Sequence, residues 1–239
     1  MPLRQFEKKS SAFSGVIFDL FGTLVDDFVT WIGQMQSELI AALAVPSESF
    51  TEIWRQTAAM RTIGAFQTVE ASIDYVCGII GIQVPAEQMA KAVEIRLQNI
   101  RRGLNPRADV LETLTQLKSA GHKIGLVSNC SIEIPILWPE TEFADLFDSA
   151  IFSSRERLKK PDPRIYQLTC QRLGVEPAAC IYIADGENHE LAAAAKLGLH
   201  AVLFRNLSQY NRGELLREAM EWQGDSITSV TEVLQRVRD

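Results

Sequence analysis

An α/β fold, a doubly wound parallel sheet with a separate helical cap, is what this chain of 239 residues predicts. Two observations lead there. After Pro106, short apolar runs ending in polar residues alternate with helix-like stretches, and strands separated by helices pair in parallel through right-handed crossovers. Between about residue 27 and residue 105 no such strand is evident, and apolar residues recur at helical spacing instead.

The first strand is Val16-Ile17-Phe18, which delivers Asp19 before Gly22-Thr23 turns the chain. A buried strand ending in a carboxylate is costly unless the acid has work to do. A solvated strand end is the alternative for Asp19 taken alone. In the insertion, Trp31, Met35, Leu39 and Ala42 share one helix face and Met89, Val93 and Leu97 another, with Gly81 and Val84-Pro85 as punctuation. Its aromatic residues, including Trp31, Trp54, Phe66 and Tyr75, are expected to fill the insertion's own core. Beyond it come a helix over 108–120 and the strand Lys123-Ile124-Gly125-Leu126-Val127, which ends in Ser128-Asn129. A short strand at Ile151-Phe152, a basic run from Arg155 to Lys160 before Pro161, and a helix over 163–173 follow. The strand Cys180-Ile181-Tyr182-Ile183-Ala184 then ends in Asp185, ahead of an alanine-rich helix at 192–195, a strand at 200–204 and a closing helix at 230–237. Strand ends of an open parallel sheet converge on one edge, so Asp19, Ser128 and Asp185 are expected in one crevice.

Asp19, Ser128, Lys160 and the segment Asp185 to Glu190, in that order and with a long insertion between the first two, resemble motifs I to IV of the haloacid dehalogenase-like (HAD) hydrolase superfamily. The resemblance covers nearly the whole chain. It implies a Rossmann-like core made of 12–26 and 106–239, and a helical C1-type cap, 27–105, that closes over the site and restricts it to small-molecule substrates. It implies that Asp19 is a nucleophile forming a covalent aspartyl intermediate, which divides one hard displacement into two easier ones. Ser128 and Lys160 are its expected catalytic partners, with Thr23 and Asn129 as further substrate-binding donors. It also implies Mg²⁺, held by the Asp19 and Asp185 carboxylates and the main-chain carbonyl of Phe21, with Glu190 holding a metal-bound water. Without the resemblance, Lys160 reads equally as one lysine of a solvated basic run, and 185–190 as a helix start rich in acids.

Phe21 departs from the phosphatase pattern, in which a second aspartate stands two residues after the nucleophile to protonate the leaving alkoxide. Loss of a positioned acid/base typically costs about a hundredfold to ten-thousandfold in rate. The dehalogenase branch has an aromatic residue there, and Trp54-Arg55-Gln56 resembles its segment bearing the arginine that receives the halide. That branch, however, reads Ser-Ser-Asn in motif IV and needs no metal, whereas this chain has Ala184-Asp185-Gly186. Three acids, Asp19, Asp185 and Glu190, repel each other in a crevice without a cation. The leading expectation is therefore Mg²⁺-dependent hydrolysis of a small phosphorylated metabolite. Carbon–halogen hydrolysis, with Arg55 as the anion ligand, is the second reading, and a weakly catalytic member that binds a ligand or partner is the third.

Composition bounds the rest. An apolar content of 46% suffices for a packed interior, and a net charge of −6 argues against a nucleic-acid surface. Residues 1–14 mix charges with serines and show neither a secretory signal nor a membrane span, so a cytoplasmic protein with a frayed N-terminus is expected. Cys77, Cys130, Cys170 and Cys180 form no CxxC pair and read as reduced packing thiols.

Overall fold

Strands buried on both faces form near-continuous apolar runs, and they can stay dry only if helices cover each side of the sheet. The computed structural model describes residues 13–26, 32–205 and 217–238. Its six strands are β1 (Gly15–Phe18), β2 (Lys123–Ser128), β3 (Ser149–Phe152), β4 (Cys180–Ala184), β5 (His200–Phe204) and β6 (Ser226–Ile227). They form one parallel sheet in the order β3-β2-β1-β4-β5-β6. The order reverses at β1, which lies between β2 and β4, and that switch point is where an open α/β sheet leaves a crevice. Phe18 stands level with Leu126 of β2 and Ile183 of β4. The residues just past these three therefore emerge together at the carboxyl edge.

Helices α1 (Ile32–Leu43), α2 (Ser47–Gln56), α3 (Ala58–Thr62), α4 (Val69–Ile79) and α5 (Ala86–Gly103) make up the insertion. Leu39, Leu43, Phe50, Ile73, Val76 and Ala92 close their own apolar cluster, while Met35 and Ile100 join the core cluster beneath. Thr68 starts α4 by accepting the Ala71 amide at 3.1 Å. After the insertion, α6 (Val110–Ala120), α7 (Glu133–Leu137), α8 (Ser153–Glu156), α9 (Pro163–Leu173), α10 (Glu190–Leu197), α11 (Arg217–Glu221) and α12 (Val233–Arg236) complete the described fold. Asp162 caps α9 through the Arg164 amide at 2.9 Å.

Several expectations need adjustment. Trp31 and the N-terminal residues up to 12 lie outside the described residues. Tyr75 is 42% exposed, with its ring against Phe66, so it does not fill the insertion's core. The closing helix at 230–237 is a 3₁₀ turn, Val230–Glu232, followed by the short α12. Strand β6 was not predicted, because two residues carry no periodicity. All four cysteines are buried and free. No helix among the described residues is long and apolar enough to cross a membrane.

One of the contacts between the insertion and the core is especially tight. Gly64 has φ +70°, and a Cβ there would lie 1.8 Å from the main-chain oxygen of Ser154. Next to it, the Ser153 hydroxyl donates to the Thr62 carbonyl at 2.7 Å. Gly64→Ala is therefore expected to lower stability by about 2 kcal/mol or more in urea unfolding. Gly78→Ala, on the exposed face of α4 where a Cβ meets nothing, is expected to be neutral or to stabilise by up to about 1 kcal/mol.

Candidate active site

Asp19 leaves β1 still tied to the sheet, its amide donating to the Ile183 carbonyl at 2.9 Å. Gly22 at φ +75° lets the chain turn immediately afterwards, and Leu24 and Val25 amides close the turn on the Leu20 carbonyl. The turn carries Thr23 back over the strand end, where its hydroxyl donates to Asp19 Oδ2 at 3.3 Å. Ser128, fully buried, ends β2, and Asp185, 6% exposed, follows β4. The three residues expected in one crevice thus share the carboxyl edge around β1.

Lys160 enters from the loop between α8 and α9. Its amide donates to Asn129 Oδ1 at 2.8 Å and its carbonyl accepts from Asn129 Nδ2 at 3.1 Å. Asn129 is thereby placed as a clamp on the lysine backbone, joining the ends of β2 and the loop. The Lys160 ammonium pairs with Asp19 Oδ1 and, at 2.5 Å, with Glu190 Oε2. Lys160 is 4% exposed while Lys159 is exposed, so only the latter belongs to the solvated basic run.

Glu190 is fully engaged. Oε2 also accepts from the Tyr182 hydroxyl at 2.6 Å, and Oε1 from the amides of Gly186 at 3.3 Å and Glu187 at 3.0 Å. Its main-chain carbonyl accepts from Tyr166 at 3.0 Å. Left-handed Asn188 and His189 precede it, with φ of 55° and 60°, and re-aim the chain into α10. Burial pushes the Asp19 carboxyl up to about 7; the Lys160 ammonium opposes this and the Glu190 charge adds to it. Burial acts to lower the Lys160 pKa, yet the Asp19 and Glu190 carboxylates outweigh it and hold the ammonium well above the ordinary lysine range. Part of the counter-charge that the three acids require therefore comes from within the chain.

One ligand atom each from Asp19, Asp185 and Glu190 lies within 4.8 Å of the others. Two carboxylates and the Phe21 carbonyl are hard oxygen donors, the chemistry that Mg²⁺ prefers. Glu190 fits such a site poorly as a direct ligand, because both its oxygens already accept two hydrogen bonds each.

Arg55 is not brought to this site. Its side chain is 72% exposed and pairs with Glu52 at 2.7 Å on the outer face of α2. The arginine that reaches inward is Arg61 of α3, only 8% exposed, and sequence reasoning missed it. Its guanidinium carbon lies 3.8 Å from the centre of the Trp54 ring, and it donates to Thr57 Oγ1 at 2.7 Å and to the Trp54 carbonyl at 2.6 Å. A seven-residue step from Trp54 returns to nearly the same helix face, whereas a one-residue step turns away by about 100°. That spacing was the available signal. Trp54 is accordingly a wall of a cavity of about 330 Å³ as well as a cap residue, and Phe21, Arg61, Arg96 and Asn129 share that wall. Burial drives the Cys130 thiol up to about 12, so it lines this cavity as an inert group.

The (S)-2-haloacid dehalogenase of Pseudomonas fluorescens is 29% identical over 196 residues, 77% of this chain and 81% of that one. The glyceraldehyde 3-phosphate phosphatase of Methanothermobacter thermautotrophicus is 27% identical over 135 residues, 55% of this chain and 57% of that one. Among solved structures, the 2-haloacid dehalogenase of Pseudomonas syringae pv. Tomato DC3000 superposes with a TM-score of 0.71 at 19% identity, covering 93% of this chain and 97% of that one, a likeness of fold alone. Residues 13–198 match the family of haloacid dehalogenase-like hydrolases. With that match over most of its length, and Asp19, Ser128, Lys160 and Asp185 converging on one sheet edge, the chain belongs to the haloacid dehalogenase-like hydrolases.

Proposed function

We propose that this hydrolase cleaves the carbon–halogen bond of a small 2-haloacid through an ester at Asp19. Phe21 carries the reading. It stands two residues after the nucleophile and lines the cavity, so no acid is placed there to protonate a leaving alkoxide. A departing halide needs no proton. The haloacid dehalogenase relatives support the same class over the phosphate esters first expected.

In the first step an Asp19 carboxylate oxygen attacks C2, the carbon–halogen bond breaks, and the halide leaves with the bonding pair. Lys160 and Thr23 hold the carboxylate in place for attack. In the second step water attacks the carbonyl carbon of the ester and gives a proton to Asp185. The acyl–oxygen bond breaks with its pair on the departing alkoxide, Asp185 returns the proton to that oxygen, and the second proton of the water leaves the regenerated Asp19 carboxyl for solvent. Asp19 is restored and a 2-hydroxyacid departs. Asp185 thus has work as a general base.

A second reading rests on Asp185 itself. With Asp19 and the Phe21 carbonyl, Asp185 would hold Mg²⁺, which on binding would offset the charge of a phosphoryl group. Chelation separates the two. Halide release from 2-chloropropionate is expected to be unchanged by EDTA, and phosphate release lost in EDTA would favour the second reading.

Asp19→Asn is expected to lower halide release by about a thousandfold or more in a steady-state assay. Asp185→Asn is expected to release one burst of halide per enzyme and then stall, with the ester visible as added mass on the Asp19 peptide. Because only ionised Asp19 attacks and its carboxyl lies near 7, kcat/KM is expected to rise with pH through that value. A profile flat from about pH 5 to 8 would contradict this.

A further inference from the structure

The cavity beside Phe21 carries more positive charge than its own residues neutralise. Arg61 and Arg96 both line it, and Arg96 lies 5.4 Å from the Trp54 ring that Arg61 covers. Arg96 donates to Glu133 Oε1 at 2.8 Å, and Glu133 is 1% exposed. Glu133 pairs directly with Arg96 and acts on Arg61 only at longer range, one negative charge facing two guanidiniums. Arg61 forms no ion pair with a carboxylate among the described residues; its partners are a hydroxyl, a carbonyl and an aromatic face. A buried cation without a counter-ion is costly, and an anionic ligand relieves that cost.

The size and the remaining walls define what kind of anion. About 330 Å³ is several times the space that the two- or three-carbon backbone of a simple haloacid requires. Leu39, Ile100 and Ile134 add apolar surface to the walls that Phe21 and the arginines share. A hydrated inorganic ion gains nothing from such walls, whereas a short alkyl chain ending in a carboxylate matches both features.

We infer that Arg61, with Arg96 held beside it by Glu133, is a specificity site for a second carboxylate, so that the substrate is a dicarboxylic acid whose far end docks under the cap. This rests on the proposed reading of the site for the reacting end, but the subsite itself is a matter of binding.

Calorimetric titration of the intact protein with glutarate and with pentanoate, acids of equal chain length, tests it without any turnover. The wild type is expected to bind glutarate at least tenfold more tightly than pentanoate. Arg61→Gln is expected to bring the ratio close to one, Arg61→Lys to keep most of it, and Arg55→Gln to leave it unchanged. Equal affinities in the wild type, no measurable glutarate binding at millimolar concentration, or an undiminished ratio in Arg61→Gln would overturn the inference. If Arg61→Gln fails to fold, as judged by circular dichroism, the wild-type ratio and its retention in Arg61→Lys still decide. A failure of haloacid hydrolysis would leave this ratio untouched, so the two claims fail separately.

Discussion

The buried ammonium of Lys160, set between Asp19 and Glu190, is the interaction on which the site depends. Two carboxylates cannot be carried into a dry crevice without compensation, and removing one partner from such a buried group typically costs about 3–5 kcal/mol. Much of the surrounding architecture holds that ammonium in position. Asn129 grips the Lys160 backbone from the end of β2, and Tyr182 from β4 shares Glu190 with it. The turn at Gly22 folds Thr23 back onto the other oxygen of Asp19. Strand register, loop and helix start are thus tied to one charge arrangement.

The insertion contributes a second electrostatic layer, of opposite sign. Arg96 on α5 reaches Glu133 on α7 of the core, so the cap's attachment and the charge of the cavity are the same contact. Trp54 supplies the flat surface on which Arg61 lies. The acids sit at the sheet edge, and the two arginines line a cavity whose walls also include Phe21 and Asn129.

Much of this was legible in the sequence, and the gaps have physical causes. Asp19, Ser128 and Asp185 could be placed because each ends an apolar run, and parallel strands in register bring such ends together. Lys160 could be identified, but not its partners: the pairing with Glu190 depends on left-handed Asn188 and His189, which local propensity does not anticipate. The three-residue resemblance at Trp54-Arg55-Gln56 points to Arg55 and is silent on Arg61. Thr57 interrupts the helix only slightly, since the amides of Thr57 and Arg61 still bond four residues back, and Arg61 stays on the Trp54 face. The balance between phosphate and halide was drawn toward Mg²⁺ by counting three uncompensated acids. The ion pair with Lys160 alters that count.

The most direct measurement is a single turnover in oxygen-18 water, with enzyme in excess over 2-chloropropionate. If an ester forms at Asp19 and water attacks its carbonyl carbon, the new oxygen stays on the enzyme. The peptide containing Asp19 then gains one oxygen-18, and the released 2-hydroxyacid carries none. Label in the product with an unlabelled Asp19 would mean that water attacks the substrate carbon directly, and the covalent account would be wrong.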